Sequence, residues 1–149
     1  MIRRWILAVV ALLLTSLAIP AIAQSVSGGA SGPVKKYRVV MQVSGPDPRG
    51  WAQAVNNALL MQRNIGKANV DIEIVANGMG IGMLKYNSPE EKEVAAALDQ
   101  GIKVVACGMT MKQLMLEKED MLPNISYVKG GFVEIMDRQA EGWHYLRAD

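Results

Sequence analysis

Cys107 is the one cysteine in the 149-residue chain. It ends the run Ile102-Lys103-Val104-Val105-Ala106 and precedes Gly108-Met109-Thr110-Met111-Lys112-Gln113, in which Thr110 and Gln113 stand at capping-box spacing. A strand that hands over to a helix therefore carries a thiol at the junction. Backbone N–H groups and the positive end of the helix dipole gather there, and both favour thiolate over thiol. Lys112, in the first turn of that helix, adds a positive charge of the same sense. The opposing reading is a small apolar core residue at a strand end, because free cysteine is among the most buried residue types.

Other residues invite chemistry with less support. Met79, Met83, Met109, Met111 and Met115 fall in two segments expected beside Cys107, and thiolate with thioether is a soft ligand set that suits Cu(I). Methionine at helical spacing is more often core or subunit-interface filler, so no metal enters the main reading. Gly78-Met79-Gly80-Ile81-Gly82 follows a strand, but its spacing is GxGxG, and the next helix signal waits until Ser88. These glycines cannot set a helix N-terminus on a pyrophosphate. A flexible loop over the site is expected instead. His144 is the only histidine and has no serine, cysteine or carboxylate neighbour in sequence that suggests a triad, so a partly buried structural role is expected. Glu134 and Asp137 share a helical face with Arg138 and Glu141 close by, the pattern of a solvated or subunit-facing surface.

The elements that must position the thiol follow from the periodicity. Tyr37–Val43 has the β-branched content of a buried strand. Asp47 caps a helix with Pro48 at its first position, and Trp51, Val55, Ala58, Leu59, Gln62 and Ile65 follow at helical spacing to Gly66. Val70–Ala76 is a second strand. Ser88-Pro89-Glu90-Glu91 forms a capping box opening a helix that stops at Gly101, ahead of the strand that ends in Cys107. A short helix through Leu114 and Met115, a strand Ile125–Val128, a helix from Gly131 to Glu141 and a strand candidate Trp143–Arg147 complete the order. The alternation predicts an α/β domain, a three-layer α/β/α sandwich around a mainly parallel sheet of about five strands. In such a fold, 44–47, Asn77-Gly78-Met79-Gly80 and Cys107-Gly108-Met109-Thr110 collect along one sheet edge. Asp47 is then a polar group near the thiol, although its place before Pro48 already explains it as a cap.

The ends of the chain bear on compartment. Arg3 and Arg4, an apolar stretch from about Ile6 to Leu17, Pro20 and Ala21-Ile22-Ala23 compose a secretory signal peptide with cleavage expected after Ala23. The stretch is shorter than the roughly 20 residues a membrane span needs. Periplasmic export of a protein free of the membrane after cleavage is expected. Removing residues 1–23 takes away two of the 16 basic residues and none of the 14 acidic ones, which leaves 14 of each. A neutral chain gives no electrostatic reason to bind nucleic acid or an anionic membrane. Residues 24–35, rich in serine and glycine, are expected to be a flexible tether, and 36–149 a single domain.

With the elements in order, Val104-Val105-Ala106-Cys107-Gly108-Met109-Thr110-Met111, then Asp120-Met121-Leu122-Pro123-Asn124-Ile125, then Gly131-Phe132-Val133-Glu134-Ile135-Met136 and Gly142-Trp143 resemble the DsrE/DsrF-like family. The resemblance extends over roughly residues 37–147 and, given the leader, is to an exported, periplasmic branch. It implies a small three-layer domain that assembles into homotrimers or homohexamers, with sulfur relay through a cysteine persulfide in the best-known members. Cys107 matches the sulfur-carrying cysteine. The implied function is a sulfane-sulfur carrier or transferase without a bound cofactor, working between a donor and an acceptor protein. Gly108, Thr110 and Lys112 would support the thiolate, and loops 44–47 and 77–83, with Asp47, Asn77 and Gly78, would shape access. A persulfide carrier also needs no neighbouring thiol to expel the sulfur as a disulfide, and no second cysteine exists. The alternatives are a non-catalytic oligomeric binding module with a structural cysteine, or a Cu(I)-binding protein using cysteine and methionine.

Overall fold

The structure, a computed structural model, describes residues 36–148. The expected leader, residues 1–23, and tether, residues 24–35, lie outside the described residues. Strand β1 (Tyr37–Val43) leads through helix α1 (Pro48–Ile65) to β2 (Val70–Ala76), and a 3-10 segment (Gly78–Leu84) precedes α2 (Glu91–Asp99). Strand β3 (Lys103–Cys107) runs directly into α3 (Gly108–Gln113), followed by β4 (Ser126–Val128), α4 (Gly131–Ala140) and β5 (His144–Arg147).

All five strands are parallel, in the order β4-β3-β2-β1-β5. Alternation along each strand gives the sheet two faces of unequal size. Val39, Met41, Val43, Ile72, Ile74, Ala76, Val104 and Ala106 join α1 and α2 in the larger core, which also takes in Ile81, Met83 and Leu84 of the 3-10 segment. Val40, Val75 and Val105 face the other way and pack under Ile135 of α4. Each fully buried side chain of this size is worth about 1.5–3 kcal/mol, so the larger face carries most of the hydrophobic stabilisation.

Local signals account for the helices. Asp47 accepts a 3.1 Å hydrogen bond from the Arg49 N–H, Pro48 opens α1, and Trp51, Ala54, Val55, Ala58 and Gln62 form its buried stripe. Gly66, at φ +92°, ends it. Helix α2 starts at Glu91, two residues later than the capping box predicts. Ser88 Oγ does accept from the Glu90 N–H at 3.2 Å, but this bond closes a turn ahead of the helix. The glycine segment also differs from expectation. It is a packed 3-10 segment, where a Cβ on Gly80 would meet the Val43 carbonyl oxygen at 2.2 Å and one on Gly82 the Trp51 ring at 2.6 Å. The glycines serve close packing, which is why no flexible loop forms.

The connections define where a site can lie. Helix α3 turns Met111 into the larger core, while α4, leaving the adjacent strand β4, crosses the opposite face toward β5. Adjacent connections that leave to opposite faces open a crevice at the carboxyl ends of their strands. Cys107, the last residue of β3 and paired with Val128 of β4, stands there.

Candidate functional site

Cys107 is 5% exposed and serves as the N-cap residue of α3. Its Sγ accepts a 3.1 Å hydrogen bond from the N–H of Gly131, the first residue of α4. Thr110 adds its hydroxyl and its N–H, and the Met109 N–H contributes while also bonding the Lys129 carbonyl at 3.0 Å. Burial alone pushes the thiol up. The hydrogen bonds from Thr110, Gly131 and Met109 outweigh it and hold Cys107 below the ordinary cysteine value. The sulfur therefore lies among neutral donors from the first turns of two helices, an arrangement that stabilises a thiolate without a counter-charge.

The helix start corrects one expectation. Thr110 is the third residue of α3 and buried, not its cap. Its Oγ1 accepts the Gly78 N–H at 3.1 Å, which leaves the hydroxyl proton for the sulfur. Gly78, at φ +54°, thus reaches the site through Thr110. Gly108 lies close under β4, where a Cβ would stand 2.9 Å from the Val128 carbonyl oxygen. Gly131 belongs to the site although the sequence marks it only as a helix start. A Cβ there would stand 3.1 Å from Asn77 Cβ, 3.2 Å from Cys107 Cβ and 3.3 Å from Val75 Cγ1. Glycine lets the first N–H of α4 approach the sulfur without crowding these neighbours, and the Gly130-Gly131 pair after a strand was the available signal.

Asn77 follows β2 as Cys107 ends β3, and the pairing of Ala76 with Ala106 makes the two cross-strand neighbours on the α4 face. Asn77 is 3% exposed, and its Oδ1 accepts from Gln42 Nε2 at 3.1 Å. Gln42 Oε1 in turn accepts from the Tyr145 hydroxyl at 2.6 Å. A hydrogen-bonded line thus runs along the carboxyl edge of the sheet from β5 to the neighbour of Cys107.

The remaining candidates are dispersed. Asp47 is exposed, caps α1 and pairs with Arg49 at 3.5 Å. Lys112 lies on the exposed side of α3 beside a shallow depression lined by Gly108, Met111, Glu117, Lys118 and Tyr127, and no hydrogen bond among the described residues ties it to Cys107. Met83 and Met111 are core residues, whereas Met79, Met109 and Met115 are exposed, so the five do not form one ligand set. His144 is exposed on the edge strand, contrary to its expected partial burial, with its ring 6.3 Å from that of Tyr37. Glu134 also departs from a purely solvated role. With Arg138 and Lys103 it surrounds Glu73, which is fully buried: Arg138 Nε lies 2.8 Å and Lys103 Nζ 3.3 Å from the Glu73 carboxylate. Asp137 is exposed.

No protein-family model matches this chain, and no curated protein matches it in sequence. Solved structures do. The MTH1491 protein of unknown function from Methanobacterium thermoautotrophicum is 29% identical, with a TM-score of 0.72 over 75% of this chain and 99% of that one. BT1422, a conserved protein of unknown function from Bacteroides thetaiotaomicron, is 14% identical, with a TM-score of 0.58 over 74% of this chain and 93% of its own. The YchN protein of E. coli is 12% identical, with a TM-score of 0.59 over 76% of this chain and 98% of its own. The fold is DsrE-like. That is the architecture the resemblance implied, with Cys107 at its topological switch point.

Proposed function

We propose that this chain is an exported carrier of sulfane sulfur, loaded and unloaded at Cys107. The observation that supports it most is the set of neutral donors, from Gly131, Thr110 and Met109, around a solitary thiol at the carboxyl edge of a parallel sheet. In the loading step the Cys107 thiolate attacks the outer sulfur of a donor R–S–SH. A new S–S bond forms to Cys107, the bond between that sulfur and R–S breaks, and R–S⁻ leaves with the electron pair. An acceptor thiolate reverses the exchange and leaves Cys107 as thiolate, so no net oxidant is needed. Export through the leader and assembly into a homotrimer or homohexamer belong to this reading. Phe132, Val133 and Met136, exposed on α4, supply apolar surface for self-association.

A second reading has its own observation. With Cys107 only 5% exposed, a non-catalytic oligomeric module with a structural cysteine also accommodates the geometry. Intact-mass spectrometry of the signal-cleaved protein, before and after incubation with a sulfane-sulfur donor, separates the two, with Cys107→Ser as control. A gain of one sulfur atom that a thiol reductant reverses and the variant lacks is expected for the carrier. An unmodified thiol that also resists alkylation would end that reading in favour of the structural one.

A further inference from the structure

Asn77, the cross-strand neighbour of Cys107, has a donor left over. Its N–H and carbonyl serve the backbone, bonding the Val43 carbonyl and the Gly80 N–H at 3.0 Å each, and its Oδ1 is taken by Gln42. Among the described residues its Nδ2 donates to nothing. No completely covered side-chain nitrogen or oxygen lacks a partner among those residues, and Asn77 as a whole is 3% exposed. A donor left free at the end of an otherwise satisfied buried side chain, on the cross-strand neighbour of Cys107, calls for an acceptor.

The line of amides leaves Nδ2 as the free end of Asn77. Tyr145 donates to Gln42 Oε1 and Gln42 Nε2 donates to Asn77 Oδ1, so Nδ2 is the atom without a partner among the described residues. The reverse setting, with both amides turned over, would present Asn77 Oδ1 to a sulfur anion, acceptor against acceptor. Sγ itself is already served by Gly131 and Thr110. A second sulfur bonded to Cys107 would lie about 2 Å beyond Sγ, and no donor named so far is reserved for it.

We propose that Asn77 Nδ2 is the hydrogen-bond donor for the outer sulfur of a Cys107 persulfide, and that Gln42 and Tyr145 are positioning residues that keep the amide in its donating orientation. The inference rests on the carrier reading and adds what recognises the cargo. Held as Cys–S–S⁻, the outer sulfur resists attack by stray thiolates, and on protonation it becomes the electrophile an acceptor thiolate attacks. The same amide suits the transferred sulfur of thiosulfate, whose exchange with the Cys107 thiolate yields Cys–S–S⁻ and sulfite with charge and atoms conserved.

The test loads wild type, Asn77→Ala and Tyr145→Phe with glutathione persulfide, and separately with thiosulfate, and follows persulfide ionisation against pH by near-ultraviolet absorption. The alkylation rate of the unloaded thiol against pH is measured in parallel. Loss of one charge-assisted hydrogen bond should move the persulfide titration of Asn77→Ala upward by about one pH unit, a roughly tenfold loss of anion at fixed pH. Tyr145→Phe, a small change on an edge strand, should move it in the same direction by less. The unloaded thiol should shift less than the persulfide in both variants. Loading of all three proteins with superimposable persulfide titrations, or equal shifts in persulfide and unloaded thiol, overturns this inference and leaves the carrier reading standing. Failure of wild type to take up sulfur from either donor defeats the carrier reading, and this inference with it.

Discussion

The two ends of α4 treat buried ionisable groups in opposite ways. Its first residue, Gly131, gives an N–H to Cys107 Sγ at 3.1 Å, and every donor near the sulfur is neutral. Two turns on, Arg138 reaches Glu73 at 2.8 Å and Glu134 at 2.8 Å, in a network that Lys103 completes. The thiol is held below its ordinary pKa, while Glu73 is held above its own. Burial is the largest cause for Glu73, reinforced by its hydrogen bond with Glu134 and opposed by Lys103 and Arg138. Neutral dipoles stabilise an anion without filling the space around it, which suits a group that must exchange partners. An ion network satisfies a buried charge by enclosing it, which suits an anchor.

The comparison breaks most readily at the anchor. Arg138→Ala should leave the fully buried Glu73 with Lys103 as its one cation among the described residues, and the unfolding free energy should fall by about 3 kcal/mol, the low end for a broken buried pair because the Arg138 side chain keeps 22% exposure. Urea denaturation measures it. A loss below about 1 kcal/mol would place the pair among ordinary surface bridges. The pH dependence sharpens the point. A raised pKa in the folded chain means the folded state holds the Glu73 proton more tightly, so that contribution is complete below the ordinary carboxyl range and is lost as pH rises through the folded pKa. The stability of wild type relative to Glu73→Gln should therefore decline with rising pH across that window, and a flat difference would remove Glu73 from the account.

At the other end, Gly131→Ala should act on both stability and chemistry. Its Cβ would press on Asn77, Cys107 and Val75 at 3.1–3.3 Å, a crowding that costs about 1–3 kcal/mol where a core cannot relax. The displaced N–H should also raise the pH midpoint of Cys107 alkylation by about one unit, the scale of a single lost hydrogen bond to a charged group. Crowding without any change in alkylation would mean that the Gly131 contact is packing alone.

These contrasts were unequally legible in the sequence. The strands, the mainly parallel sheet and α1 follow from apolar periodicity and from Asp47-Pro48 and Gly66, signals carried within each segment. Cys107 was marked by its uniqueness and its place at a strand end. What escaped reading depends on partners far along the chain. Thr110 reads as a helix cap because spacing cannot reveal that α3 already begins at Gly108, with the Met109 N–H bonded to the Lys129 carbonyl. Glu73 reads as the polar member of an alternating strand, since only the passage of α4 over that face brings Arg138 to it. Gln42 and Tyr145 are 103 residues apart and meet because β5 returns beside β1. His144 is exposed for the same reason, as β5 is an edge strand.

A smaller effect on stability distinguishes the two halves of Thr110's role. Thr110→Val keeps the shape but removes the hydroxyl that links Gly78 to the sulfur, the foremost of the donors that lower the thiol, so the alkylation midpoint should rise by at least as much as in Gly131→Ala. The unpaired Gly78 N–H should lower stability by about 1 kcal/mol. Thr110→Ser, which keeps the hydroxyl, should restore the midpoint. If Thr110→Ser behaves like Thr110→Val, the hydroxyl alone does not set the thiol and the methyl group that packs it in place is required as well.

The smallest expected effect bears on whether the site extends along the sheet edge to β1. Asp47 is exposed, accepts from the Arg49 N–H and sits at the start of α1, so its charge and hydrogen bond serve the first turn of that helix. Asp47→Ala should lower the unfolding free energy by about 1 kcal/mol, the usual value of an N-cap. Asp47→Ser, which can cap but carries no charge, should recover most of it. Neither change should move the pH profile of Cys107 alkylation, because no hydrogen bond among the described residues connects the two and the donors that lower the thiol are Thr110, Gly131 and Met109. A shift in that profile with Asp47→Ser, where the cap is retained and the charge is lost, would show that the carboxylate acts on the thiol across two strands and would enlarge the site to include β1.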